Sequence, residues 1–107
     1  MKIDINQLNF IDKRLRNLVL WLEKETGLEF TVTSLYRIKD KGVHGTLPLR
    51  AIDLRIRYKK IGKSIENLIN DIWKYDPQRP KKMCAVLHGE GSNLHLHIQV
   101  HPLTKKK

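Results

Sequence analysis

Cysteine is almost missing from this 107-residue sequence. The single thiol, Cys84, excludes an intrachain disulfide, and its place in the run Met83-Cys84-Ala85-Val86-Leu87 reads as a small buried hydrophobe. No apolar run approaches the roughly 18 residues needed to cross a bilayer, so no membrane span is expected. The start, Met1-Lys2-Ile3-Asp4-Ile5, lacks the basic, apolar, small-residue order of a signal peptide, which predicts synthesis in the cytoplasm. Internal repeats and low-complexity linkers are missing too, and the length suits one compact domain and excludes two. Acidic residues are scarce: 11 stand against 21 Lys and Arg, a formal net charge of +10. That excess suits a polyanionic partner, whether nucleic acid, an anionic cell wall or a membrane surface, and by itself chooses none of them. Residues 1–104 read as the domain, and Lys105 to Lys107 as a solvated basic tail.

From Ile5 to Glu25, Leu8, Ile11, Leu15, Leu18 and Leu22 recur at three- and four-residue steps, which predicts an amphipathic helix ended by Gly27. Its leucine stripe is read as packing only. Phe30 to Ser34 is β-branched and reads as a strand, followed by a polar loop through Gly42 and Gly45. Ala51 to Tyr58 alternates, with Ile52, Leu54 and Ile56 on one face and Ala51, Asp53, Arg55 and Arg57 on the other. Ser64 reads as the N-cap of a second helix that buries Ile65, Leu68, Ile69, Ile72 and Trp73 and stops at Pro77 and Pro80. Trp21 and Trp73 are expected in the core. Met83–His88 and Leu94–His101 predict two strands joined by the turn Gly89-Glu90-Gly91-Ser92-Asn93. The order implies an α+β fold: a small, mostly antiparallel sheet with two helices packed on one face.

The last strand carries the most unusual pattern. His95, His97, Gln99 and His101 fall on one face, opposite Leu94, Leu96, Ile98 and Val100. Each buried imidazole needs partners for two ring nitrogens, so three histidines on one sheet face point to a metal or catalytic role more than to packing. A catalytic zinc takes three ligands from His, Asp and Glu and leaves a fourth position for water. Elsewhere in the chain the possible ligands are His44, Asp53, His88 and Glu90. Asp53 is also suited to pair with Arg55 or Arg57 on a solvated face.

The run Val32-Thr33-Ser34-Leu35-Tyr36-Arg37, then Gly42-Val43-His44, Ala51-Ile52-Asp53-Leu54-Arg55 and finally His95-Leu96-His97 resembles the zinc D-Ala-D-Ala carboxypeptidase, L,D-endopeptidase and hedgehog-like superfamily. The stretch His44 to Asp53 is similar to small bacteriophage members of that type. The resemblance implies that His44, Asp53 and His97 hold zinc. It also implies that Arg37, with Ser34 and Tyr36, contacts the substrate, and that His95 is an active-site acid/base. Eight residues separate His44 from Asp53, where the family usually has six, and the family's acidic base position is here Leu94. The base therefore falls to His95, with His88 and Glu90 in the hairpin as further possibilities. The implied activity is zinc-dependent hydrolysis of an amide in peptidoglycan peptides, of endolysin or carboxypeptidase type, acting at the wall after release. Imidazole suits the proton transfers, zinc the activation of water, and Arg37 the oxyanion or a peptide carboxylate. Two hydrophobic-flanked histidines on a strand also resemble the metal site of HUH nucleases, which cut single-stranded DNA with a tyrosine. Tyr36, Tyr58 and Tyr75 would be the possible nucleophiles, Tyr75 first. A third reading keeps the fold, with or without zinc, as a non-catalytic virion-associated module.

Overall fold

The computed structural model describes residues 12–36 and 50–107. Among them are two helices, six short strands and one 3-10 turn: α1 (Lys13–Thr26), β1 (Val32–Tyr36), β2 (Ala51–Arg55), α2 (Lys59–Ile72), β3 (Trp73–Lys74), β4 (Ala85–His88), the turn Gly91–Asn93, β5 (His95–Gln99) and β6 (Lys105–Lys106). The fold is α+β, as the sequence predicts.

Helix α1 begins where Asp12 can cap it. The Asp12 carboxylate accepts from Arg14 N at 2.7 Å, satisfying a backbone donor that the first turn leaves free. Leu15, Leu18, Val19 and Leu22 are buried along one stripe. Gly27 ends the helix at φ 69°, a left-handed conformation that suits glycine, and its N–H donates to Glu23 O. Residues 5–11 of the expected helix lie outside the described residues.

Four strands form one antiparallel sheet in the order β1-β2-β5-β4. Ile52, Leu54, Leu96, Ile98 and Ala85 turn to one face, where they meet the stripes of α1 and α2 in a single core. The other face carries Asp53, Arg55, His95, His97 and His88. Because side chains alternate along a strand, the same residues that build the core also force the polar set into one plane on the far side. Cys84 lies in the core, fully buried, and desolvation pushes its thiol up to about 12. Trp73 is buried, and the edge of Trp21 packs against it at 5.8 Å between ring centroids.

Several boundaries differ from the sequence expectation. Strand β1 extends to Tyr36, and β2 stops at Arg55, after which the chain turns into α2. Helix α2 starts at Lys59, not at Ser64. Gly62 N donates to Tyr58 O and opens the helical ladder, while Ser64 Oγ donates to Lys60 O one turn back instead of capping. Starting early brings Gly62 against β-structure: a Cβ there would stand 2.8 Å from both Ile56 Cγ2 and Leu87 Cδ1. The helix ends at Ile72, before either proline, because Trp73 and Lys74 leave it to pair with Lys106 and Lys105. Lys105 to Lys107 are accordingly not a free tail. Lys107 N donates to Ile72 O at 2.7 Å, and the Lys106 ammonium lies 5.5 Å and 5.8 Å from the Trp21 and Trp73 ring centroids. Among the described residues no helix is long and apolar enough to cross a membrane.

Strand β4 is the sheet's edge, and α2 covers it. Asn70 Nδ2 donates to Ala85 O (2.9 Å), Ala85 N donates to Asn70 Oδ1 (3.0 Å), and Leu87 N donates to Glu66 Oε2 (2.7 Å). Side chains of one helix thus satisfy the backbone groups that an edge strand otherwise exposes. Burial tends to raise the Glu66 carboxyl, but the Lys63 ammonium and the Leu87 N–H, with the nearby charges of Lys63 and His88, hold it below its ordinary value.

Candidate metal centre

Antiparallel pairing makes Asp53 of β2 and His97 of β5 direct neighbours across the sheet. Asp53 Oδ1 lies 3.1 Å from His97 Nδ1, and the two side chains are 18% and 17% exposed. They are shielded from bulk water but open to a small ligand. The separation is that of an ordinary hydrogen bond. It is also close to the roughly 3.3 Å between two donors on one tetrahedral zinc with bonds of about 2.0–2.1 Å.

The remaining nitrogen of His97 favours the same reading. Its Nε2 is 3.3 Å from Gln99 Oε1, and the Gln99 amide is anchored because its Nε2 donates to Met83 O at 2.9 Å. A metal-binding imidazole commonly donates its other N–H to an oxygen. With a metal bound, Nε2–H would donate to Gln99, and Nδ1, which here pairs with Asp53, would be the nitrogen that holds the ion. Gln99 was legible as a member of this face but carried no assigned role. Its position two residues after His97 is the signal.

His95 is oriented separately. Its Nδ1 lies 2.7 Å from Asn93 O. A carbonyl only accepts, so Nδ1 carries a proton, and in the neutral ring Nε2 is the nitrogen with the lone pair. His88 faces it across the hairpin, with ring centroids 5.8 Å apart, and lies 6.4 Å from His97. Beside these residues a hollow of about 440 Å³ is lined by Thr33, Asp53, Arg55, Asn93 and His95, among others. Arg55, opposite His95 in the strand register, brings a cation to the same hollow. The period-two pattern of β2 already placed it on Asp53's face.

Other expected members fall elsewhere. His101 does not share the face, because β5 ends at Gln99. Its ring packs beside Tyr75 at 5.6 Å, its Nδ1 accepts from Leu103 N, and Asp76 Oδ2 is 3.9 Å away. Glu90 is exposed at the turn, where its carbonyl accepts from Asn93 N. Tyr75, the first of the expected tyrosines, is 1% exposed. Tyr58, by contrast, is 67% exposed. His44 and Arg37 lie outside the described residues. Ser34 and Tyr36 are in β1, where Ser34 is the register partner of Asp53 and Tyr36 that of Ala51. Among the described residues no three His, Cys, Asp or Glu side chains close a metal site. Two of the three expected ligands, Asp53 and His97, come together here, and the third, His44, lies outside the described residues. Comparison with protein families, with curated proteins and with solved structures finds no match.

Proposed function

We propose that this chain is a zinc-dependent hydrolase of an amide bond in peptidoglycan peptides, a small member of the D-Ala-D-Ala carboxypeptidase and hedgehog-like superfamily. The observation that carries the reading is the Asp53–His97 pair, two donors from different strands held 3.1 Å apart beside a hollow that also contains His95 and Arg55. His44, Asp53 and His97 would hold the metal. When bound, zinc supplies a Lewis acid that polarises a carbonyl and makes its water acidic enough to be a nucleophile near neutral pH. His95 Nε2 accepts the water proton and returns it to the leaving amine, the Asn93 carbonyl keeping the ring in the tautomer this needs. Arg55 and Arg37 grip the peptide carboxylate or the developing oxyanion, and Ser34 and Tyr36 complete the substrate side. Buried Tyr75 weighs against the DNA-nicking alternative.

The test is elemental analysis of the purified protein beside His44→Ala, Asp53→Ala and His97→Ala, followed by mass spectrometry of wall peptides after incubation. About one zinc per chain is expected, lost in all three variants. His95→Ala is expected to keep zinc and to lose about 10²–10⁴ in kcat. A parent that takes up no metal after supplementation, or an Asp53→Ala that binds as well as the parent, would sink the proposal. Zinc retained with no hydrolysis of any wall peptide would favour the non-catalytic module, a reading supported by the presence of buried Leu94 where the family has its acidic base.

A further inference from the structure

Two segments far apart in sequence converge at the end of the molecule away from α2's start. Trp73 to Met83 carries Lys74, Arg79, Lys81 and Lys82, and β6 with its flank adds Lys105, Lys106 and Lys107. The pairing of Trp73 with Lys106 and of Lys74 with Lys105 pins the second group onto the first. Seven cations are gathered against one carboxylate, Asp76, so six of the chain's ten excess positive charges sit here. Asp76 is already engaged. It accepts from Gln78 N and from Arg79 Nε, both at 2.9 Å, and the Gln78 N–H leads the interactions that hold its carboxyl below the ordinary value.

Three of the cations, Arg79, Lys82 and Lys106, are held against aromatic rings. Arg79 Cζ and Lys82 Nζ lie 5.3 Å and 5.8 Å from the Tyr75 ring centroid, and Lys106 caps the Trp21–Trp73 pair. Such contacts hold each long side chain over a ring and lower the entropy lost when it meets an anion. Between the two segments lies a hollow of about 180 Å³ whose walls include Lys74, Arg79, Lys82 and Lys107. It has room for several waters, each occupying about 30 Å³ in the liquid, and so for a phosphate group that displaces them.

We propose that this hollow is a docking site for a phosphodiester polyanion, specifically a poly(polyol phosphate) chain of the cell-wall type. The site lacks what a single-stranded nucleic acid needs. The two rings that line the hollow are covered, Tyr75 1% and Trp73 8% exposed, so neither offers a face for a base to stack on, and the half-buried Trp21 beside them lies under Lys106. A polymer recognised by charge alone, with phosphates and no bases, fits that surface. The choice of a wall polymer rests on the wall-peptide reading above. The test uses metal-free protein and no turnover, so failure of the docking site and failure of the hydrolase are separate results.

The experiment measures binding of fluorescent poly(glycerol phosphate) by anisotropy between 50 and 200 mM NaCl. The parent is compared with K74Q/K82Q/K106Q/K107Q and with K13Q/K24Q/K59Q/K60Q, which removes the same charge elsewhere. The first variant is expected to bind about tenfold weaker or worse and to lose about three from the salt slope. The second is expected to stay within about threefold of the parent. Single reversals, Lys82→Glu and Lys107→Glu, are read in parallel, since each alters one exposed side chain and keeps the test decisive if the fourfold variant unfolds. The proposal is overturned if the parent does not bind, if both fourfold variants weaken alike, or if single-stranded or duplex DNA of equal phosphate count binds more tightly through the same lysines.

Discussion

Replacing Asn70 by Ala tests how the sheet edge beside the candidate site is held. Asn70 makes two hydrogen bonds to one residue, donating to Ala85 O at 2.9 Å and accepting from Ala85 N at 3.0 Å. Ala85 is 1% exposed, and Asn70 is half-buried beside a hollow, so water regains only part of what the truncation removes. Leaving a buried donor and a buried acceptor without partners costs about 1–3 kcal/mol each at most. Some relaxation at a sheet edge is available, and a loss of about 2–4 kcal/mol is expected. For a domain of this size that lowers Tm by about 10 °C or more. The contrast is Lys63→Ala, which removes a 2.6 Å ion pair to Glu66 from a side chain that is 65% exposed. It is expected to cost under about 1 kcal/mol. Urea unfolding gives the energies, and amide hydrogen exchange gives the location. The Ala85 amide is expected to lose protection in Asn70→Ala and to keep it in Lys63→Ala. An Asn70→Ala protein within about 0.5 kcal/mol of the parent, or with Ala85 exchange unchanged, would refute the view that α2 side chains seal β4.

Gly89 has φ 83°, and a Cβ there would run into the Asn93 carbonyl, the same oxygen that accepts from His95 Nδ1. Gly89→Ala is expected to cost about 1–3 kcal/mol in urea unfolding and to shift the His95 imidazole ¹⁵N resonances. Unchanged resonances would show that the turn does not orient His95. Acid should destabilise the fold through Glu66 and Asp76, whose carboxyls both lie below their ordinary values of 4.5 and 3.8. Their contribution is fully present above those values and is lost as pH falls through the lower folded ones. Unfolding free energy measured from pH 6 to pH 2.5 is expected to fall below about pH 4.5, with a shallower fall in Glu66→Gln. An identical slope in that variant would remove Glu66 from the account.

What the sequence alone determined follows from periods built into the backbone. Steps of three and four put Leu15, Leu18 and Leu22 on one stripe, and Gly27 could end it because only glycine takes that conformation without cost. Alternation put Asp53, Arg55, His95, His97 and Gln99 opposite the core residues of their strands, so the composition of the polar face was legible before any pairing was known. The α+β class followed from the order of these elements.

Only the tertiary structure decided which residues meet. Asp53 and His97 stand 44 residues apart, and they touch because β2 pairs with β5 in one register among several the alternation would allow. Nothing local marks that choice, since it is made by the core packing on the opposite face. The same holds for Asn70 and Glu66 sealing β4, for His101 leaving the face where β5 ends, and for Lys105 and Lys106, which become strand because Trp73 and Lys74 leave α2 to receive them. A backbone pattern states which way a side chain points. The partner it finds depends on long-range contacts whose free energy is set by the whole fold.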